Sequence, residues 1–314
     1  MITKDDIEAA RRRIRPHVHE TPLVSSTRLG NMAGVELLLK LESMQRAGSF
    51  KTRGALNAVM QLTPAEKAKG VVTVSAGNHA QSLALAATLA GAECTACMHA
   101  SSSATKVKAT QGYGGKVDLV QGERVAAFER AKELAAGGMT MVHPFDDPRV
   151  AAGAGTVALE MLEQRPDIEV IVVPIGGGGL ITGIATAAKA LKPNIRIVAV
   201  EPEGAATMKA ALDAGAPQTI TPTSIADGLS APMVGAMNLA AVQRLVDDLV
   251  LVTDDDIINA IRDLMSYAKI VVEPAGAASV AALLSGKLKL NTGTRVAAII
   301  SGGNIDLDRL KTLL

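Results

Sequence analysis

The sequence predicts an α/β protein of open, mostly parallel sheets flanked by helices, and three observations carry that prediction. Strand-length apolar runs alternate with helical stretches from Val71 to Val142. The alternation resumes with longer apolar runs from Ile168 onward, and several runs end in glycine- or serine-rich loops that open a helix. Such alternation marks crossover connections between parallel strands, with helices on both faces. No repeat of roughly 20–50 residues recurs, so solenoids and propellers are excluded.

Taken in order, Thr3 followed by Asp6 is an N-cap pattern, and Ile7, Ala10 and Ile14 recur at helical spacing up to Pro16. Residues 36–42 form a strand-length apolar run that leads into Ser49-Phe50-Lys51-Thr52-Arg53-Gly54. Residues 55–62 read as helix, and Pro64 restarts one. Residues 71–74 are a β-branched strand ending in Ser75-Ala76-Gly77-Asn78-His79, followed by an alanine-rich helix over 80–90 that closes at Gly91. Strand, helix, strand, helix and strand follow at 94–98, 104–111, 116–120, 125–135 and 139–142, so residues 69–146 read as a small α/β domain. Beyond it, the run at 168–175 ends in Gly176, Gly177, Gly178 and Gly179 before a helix over 180–191. Strands are expected at 195–200, 249–252 and 295–300, the last ending in Ser301-Gly302-Gly303-Asn304. The polar stretch 214–222 is the candidate linker.

Composition bounds the partners. The 314 residues carry a net charge of +1, with 32 Lys and Arg against 31 Asp and Glu, so no global field favours nucleic acid. Aromatic residues make up 2% of the chain and tryptophan is absent, which removes the stacking platforms of single-strand binders. No apolar run reaches the ~20 residues of a membrane span, and the acidic N-terminus lacks the signal-peptide pattern. A cytoplasmic enzyme acting on a small molecule is expected, with no nucleic acid and no membrane among its partners. Cys94 and Cys97 form a Cys-x-x-Cys without a second pair, and neighbouring His99 alone cannot complete four zinc ligands, so buried structural thiols are expected.

Three segments have the residues for chemistry. Lys51 follows an aromatic residue at the start of a helix, and it reads either as a solvated charge or as an amine held near a carbonyl partner. Burial would lower its pKa and make it nucleophilic. The four glycines at 176–179 strip side chains from a turn whose amides point along a helix axis, which reads as a phosphate cradle or as a tight connection. No lysine-serine or lysine-threonine pair follows them and no Gly-x-Gly-x-x-Gly spacing is present, so nucleotide loops are excluded and a smaller phosphorylated cofactor remains. The 75–79 loop offers a hydroxyl, amides and an amide side chain, a set suited to a carboxylate or a phenolic oxygen. Loops at the carboxyl ends of parallel strands converge on one crevice, so these segments and Ser301 are expected to face Lys51.

Together with Glu273-Pro274-Ala275-Gly276, these motifs occur in the order seen in fold-type II pyridoxal-phosphate enzymes. Across nearly its whole length the chain resembles the threonine and serine dehydratase group, which includes serine racemase and 3-hydroxyaspartate dehydratase. The resemblance implies a tryptophan synthase β-like architecture of two open sheets, with a large cofactor-binding domain at 1–62 and 147–314 and the small one at 69–146. It also implies pyridoxal 5'-phosphate as cofactor and Lys51 as the Schiff-base lysine. Phe50 would pack on the cofactor ring, Asn78 would bond the ring hydroxyl, and Gly176, Gly177, Gly178 and Gly179 would hold the phosphate. Ser301 would meet the pyridine nitrogen. Ser75, Ala76, Gly77, Asn78 and His79 would receive the substrate carboxylate. The implied reaction is an ammonia-lyase (dehydratase) conversion of L-threonine or L-serine to a 2-oxo acid and ammonia, and the implied assembly is a homodimer.

Departures from the group's pattern sharpen this. Racemase members carry a second serine where this chain has Ala76, which has no proton to deliver, so racemisation is disfavoured. Their divalent metal site maps to Glu201, Ala205 and Thr207, but Thr207 replaces an aspartate. That loss of a hard ligand weakens a magnesium or calcium site, and no metal is counted on. Arg124 lies where dicarboxylate-using relatives carry an arginine, which keeps 3-hydroxyaspartate as an alternative substrate beside an exposed-arginine reading. A cofactor-binding module without catalysis is the remaining alternative. Little chain follows the last motif, so no appended effector domain is expected.

Overall fold

The β-branched and leucine-rich runs become strands, and those inside the two sheets are largely buried on both faces, as parallel sheets covered by helices require. The computed structural model describes the backbone of residues 1–314 and all side chains but that of Arg124, so the Arg124 candidate lies outside the described residues. Helix α1 (Lys4–Ile14) opens the chain, with Thr3 and Asp6 forming the capping box their spacing predicts. Strand β1 (Leu23–Ser25), helix α2 (Thr27–Ala33), strand β2 (Glu36–Leu41), and helices α3 (Lys51–Val59) and α4 (Pro64–Lys69) follow. Next come β3 (Val71–Val74), α5 (Asn78–Ala90), β4 (Cys94–His99), α6 (Ala104–Gly112), β5 (Lys116–Val120), α7 (Arg124–Ala136) and β6 (Thr140–Met141). The remainder is α8 (Pro148–Gln164), β7 (Val170–Pro174), α9 (Gly179–Leu191), β8 (Arg196–Pro202), α10 (Thr207–Ala214), α11 (Ala236–Leu245), β9 (Asp248–Val252), α12 (Asp254–Asp263), α13 (Pro274–Leu284), β10 (Arg295–Ile300) and α14 (Leu307–Leu313).

Two sheets result. One has the order β1-β2-β10-β7-β8-β9 and the other β5-β4-β3-β6. Every pairing is parallel except β1 with β2. Because β2, β10 and β7 are adjacent and parallel, their carboxyl ends lie side by side. The segments that leave those ends are the Lys51 stretch, the 301–304 loop and the glycine turn, so the topology alone brings three chemistry-bearing segments to one edge.

Local differences from the sequence reading have physical causes. Helix α3 starts at Lys51 and not at residue 55. Glu42 leaves the strand expected at 36–42 and turns into the protein interior, and tight turns at Glu42–Met44 and Arg46–Gly48 intervene before Lys51. Helix α8 escaped notice because its residues from Val150 to Leu162 are all buried, which erases the amphipathic period that reveals a helix. The 214–222 stretch is a surface loop between α10 and α11, inside the part of the chain that forms the six-stranded sheet. Cys94 and Cys97 pack into different apolar clusters as free thiols, and burial pushes them up to about 12 and about 11.

Helix α3 is fixed by two kinds of contact. At its back, Gly153 on α8 permits backbone contact, since a Cβ there would lie 2.4 Å from the Arg53 carbonyl oxygen. At its core the Arg53 side chain, fully buried, donates to both oxygens of Glu42 (Nε to Oε2, 2.8 Å; Nη2 to Oε1, 2.8 Å) and both of Glu160 (Nη1 to Oε1, 2.6 Å; Nη2 to Oε2, 2.8 Å). Lys40 Nζ joins at 2.9 Å from Glu160 Oε2, with its pKa lowered by burial. Removing one member of a buried ion cluster leaves uncompensated charge, at a cost of about 3–5 kcal/mol. Arg53→Met is therefore expected to lower the unfolding free energy by about that much in a urea titration, and a loss below ~1 kcal/mol would contradict the cluster's role.

Candidate active site

The four converging segments line one cavity of about 790 Å³, bounded by Phe50, Lys51, the 75–79 loop, Gly176, Gly177, Gly178, Gly179 and Ser301. Of the candidates named from the sequence, Glu201, Ala205 and Thr207 are placed elsewhere. The Glu201 carboxylate accepts from the amides of Met208 (2.7 Å) and Lys209 (2.9 Å) at the start of α10, and Thr207 Oγ1 donates to the Ala231 carbonyl at 2.8 Å. Both Glu201 oxygens are thus committed to a helix end. No group of three His, Cys, Asp or Glu side chains gathers around a metal-sized gap among the described residues.

Lys51 begins α3 at the cavity wall. Its Nζ donates to the Pro144 carbonyl at 2.6 Å and lies 5.0 Å from the centroid of the Phe50 ring. Burial pushes the amine down to about 8, partly opposed by the negative charge of Glu273. The neutral amine is then accessible near physiological pH, which a surface lysine does not offer.

The glycine turn faces it. Gly178 has φ of +96° and caps α9, a conformation side-chain-bearing residues rarely adopt. A Cβ on Gly177 would fall within 2.3 Å of Phe145 ring atoms, so the turn lies flat against that ring. The buried side chain of Asn238 locks it, with Nδ2 donating to the carbonyls of Gly177 (2.8 Å) and Phe145 (3.0 Å) and Oδ1 accepting from Thr182 at 2.9 Å. The amides of Gly176, Gly177, Gly178 and Gly179 donate to no described residue, although three of these glycines are buried. Buried amides without acceptors are costly unless a ligand supplies one.

The 75–79 loop forms the third wall. Ser75 Oγ accepts from the Gly77 amide at 3.2 Å, and the amides of Ala76, Asn78 and His79 again have no described acceptor. His79 is buried and holds the Val142 carbonyl through Nε2 at 3.1 Å; since a carbonyl only accepts, that nitrogen carries the hydrogen. Burial, reinforced by the charge on Lys51, pushes His79 down to about 3, so it stays neutral and packs the loop. Ser301 is buried, with Oγ donating to the Ala275 carbonyl at 3.2 Å.

Phe145 and Asn238 were missed in the sequence, and Glu273 was named there within a motif but given no role. A usable signal existed for the first: the chain has only three phenylalanines, and two of them, Phe50 and Phe145, line this cavity. Asn238 sits in an ordinary helical stretch and gives no such signal.

Comparison with known proteins places this geometry. A family model described as pyridoxal-phosphate dependent enzyme matches residues 14–302. The chain belongs to the pyridoxal-phosphate dependent enzyme family. Within it, an L-threonine ammonia-lyase of Thermotoga maritima is 41% identical over 317 residues, spanning all of this chain and 78% of the relative. A catabolic L-threonine dehydratase of Staphylococcus aureus is 42% identical over 323 residues, spanning all of this chain and 92% of the relative. Among solved structures, a maize serine racemase superposes with a TM-score of 0.95 at 40% identity, covering 99% of this chain and 96% of that one. No described helix is long and apolar enough to cross a membrane.

The cavity fits the family's cofactor. Four amides without acceptors suit a phosphate, and the desolvated Lys51 amine suits an aldehyde. Gly177→Ala forces Phe145 off the turn and disturbs those amides. Because hydrogen bonds to a charged group are worth about 1.5–3 kcal/mol each, cofactor affinity in this variant is expected to fall by roughly tenfold or more. Cofactor titration followed by absorbance, beside an unchanged far-UV circular dichroism spectrum, checks this.

Proposed function

We propose that this protein is an ammonia-lyase that converts L-threonine, L-serine or both to a 2-oxo acid and ammonia with pyridoxal 5'-phosphate. The observation that carries the reading is the desolvated Lys51 amine in a cavity whose other wall holds the unpaired glycine amides. The names of the two curated relatives add the substrate class. In this reading residues 69–146 form a small unit that brings the 75–79 loop, and residues 1–62 with 147–314 form the unit that brings Lys51, the glycine turn and Ser301. The enzyme is cytoplasmic and homodimeric.

When bound, the cofactor supplies an electron sink that acidifies the substrate's α-carbon. The amides of Gly176, Gly177, Gly178 and Gly179 would hold its phosphate, Phe50 would pack on its ring, and Asn78 would bond its ring hydroxyl. Ser301 would meet the pyridine nitrogen with a neutral hydroxyl, which stabilises positive charge there less than a carboxylate would. The 75–79 loop orients the substrate carboxylate on its free amides, and neutral Nζ of Lys51 takes the α-proton as general base. The electron pair left at the α-carbon forms the Cα=Cβ double bond as the Cβ–O bond breaks, the hydroxyl takes up one proton and leaves as water, and the released enamine tautomerises to an imine that a second water hydrolyses to 2-oxo acid and ammonia.

Serine racemase is a structural neighbour, and Ala76 sets the lyase reading ahead of that one. Racemisation requires a proton donor on the opposite face of the substrate, and a methyl group has none to give.

The decisive experiment measures 2-oxo acid release from threonine, serine and both 3-hydroxyaspartate diastereomers, with chiral analysis of residual substrate. Release from threonine or serine is expected; turnover of hydroxyaspartate alone, abolished by Arg124→Ala, would overturn the reading. Lys51→Ala is expected to remove release and the borohydride-stable attachment of cofactor. Because kcat reports the substrate-bound enzyme, in which the Lys51 amine is free, and burial lowers that amine's pKa, kcat is expected to rise with pH through a midpoint below the ~10.4 of an ordinary lysine. A profile that falls across that range would contradict Lys51 as the base.

A further inference from the structure

Glu273 stands at the N-cap position of α13, where an acidic side chain ordinarily turns back to accept from its own helix's first amides. It does not do so. Pro274 occupies the first helical position and the Glu273 side chain makes no cap bond. Its Oε1 instead accepts from Asn78 Nδ2 at 2.6 Å, reaching from the six-stranded-sheet side of the cavity to the helix that follows β3 in the four-stranded sheet.

The surroundings are built for this reach. A Cβ on Gly302 would lie 2.3 Å from Glu273 Oε1, so the loop after β10 leaves room for the carboxylate. From the other side, Asn304 Nδ2 donates to Asn78 Oδ1 at 2.8 Å and to the Ala47 carbonyl at 2.7 Å. A carboxylate can only accept from Asn78, and the Asn304 amide here only donates to it, so the two partners determine the same amide orientation. One N–H of Asn78 Nδ2 is then consumed by Glu273, and the second has no acceptor among the described residues.

We propose that Glu273 is a positioning residue of the active site, holding Asn78 across the cavity so that its second N–H is presented to the bound cofactor. This rests on the cofactor role given to Asn78 above. The charged groups around Glu273 are Lys51 from α3, Lys106 from α6, Asp227 from the loop before α11, and Arg309 from α14. Lys106 and Arg309 both bind Asp227, at 3.1 and 2.7 Å, so of these four groups only the Lys51 amine has no ion-pair partner among the described residues. Burial raises the Glu273 carboxyl to about 7, and its negative form in turn raises Lys51.

The test is a double-mutant cycle on cofactor dissociation, read by absorbance of the cofactor-loaded protein, with wild type, Glu273→Ala, Asn78→Ala and the double variant. Charge-assisted hydrogen bonds are worth about 1.5–3 kcal/mol, so Glu273→Ala is expected to weaken cofactor binding by roughly 10–100-fold. The double variant is expected to be no weaker than Asn78→Ala alone, within about twofold, because both changes remove one interaction. Fully additive losses, or unchanged affinity in Glu273→Ala, overturn the proposal. Should Glu273→Ala not fold, Glu273→Gln keeps it testable, because the amide carbonyl still accepts from Asn78. Cofactor affinity is then expected to stay within about threefold of wild type, and a loss of tenfold or more overturns the proposal. A wild-type protein that binds no cofactor would instead sink the function proposed above, which separates the two failures.

Discussion

A guanidinium with two carboxylates around it, sealed from water, is the contact on which the active site depends. Arg53 lies two residues beyond Lys51 on the same helix, and its planar fork donates to both oxygens of Glu42 and both of Glu160. Rotating or sliding α3 would separate buried charges. The position of the Lys51 amine is therefore set by an interaction that has no part in the chemistry, and the glycine contact with α8 removes the remaining freedom from the other side. Buried ion clusters are weak evidence for extra stability, but they discriminate strongly against wrong geometry once formed.

The walls of the cavity follow a different logic. On two of them, main-chain amides have no acceptor among the described residues: the glycine turn and the 75–79 loop. Amides at a cavity wall are met by water or by a ligand, and Asn238, Phe145 and His79 lock both loops so that these groups keep one arrangement. Lys51 adds a desolvated amine beside them. The site is thus pre-formed for a doubly anionic, aldehyde-bearing ligand, which is what pre-organisation means in energetic terms.

How much of this was legible depended on how each element is buried. Strands with β-branched runs, such as Val71–Val74 and Arg295–Ile300, declare themselves, and so do the loops at their ends, because glycine and serine interrupt the apolar pattern. The parallel grammar then predicted the convergence of Lys51, the glycines and Ser301 from topology. What stayed hidden were elements without contrast. Helix α8 is buried all round and has no polar face to mark it. Asn238, Phe145 and Glu273 act through contacts 93 and 195 residues away in sequence, and no local pattern encodes a partner at that separation. The Glu273 motif was recognisable, but its side chain's direction depended on Gly302, and that is a three-dimensional fact.

The lacing between the Lys51 loop and the loop after β10 also bears on how the molecule comes into being. Ser49 bridges Gly302, the Phe50 amide bonds the Ser301 carbonyl, and Asn304 bonds Ala47 across 257 residues of chain. Contacts of such sequence separation are the slowest to close, because their loop entropy is met before any reward. During synthesis the lysine that defines the site emerges early, yet the loop that completes its pocket follows the last strand. The chain therefore cannot capture its ligand piecemeal, and competence arrives together with completion of the sheet.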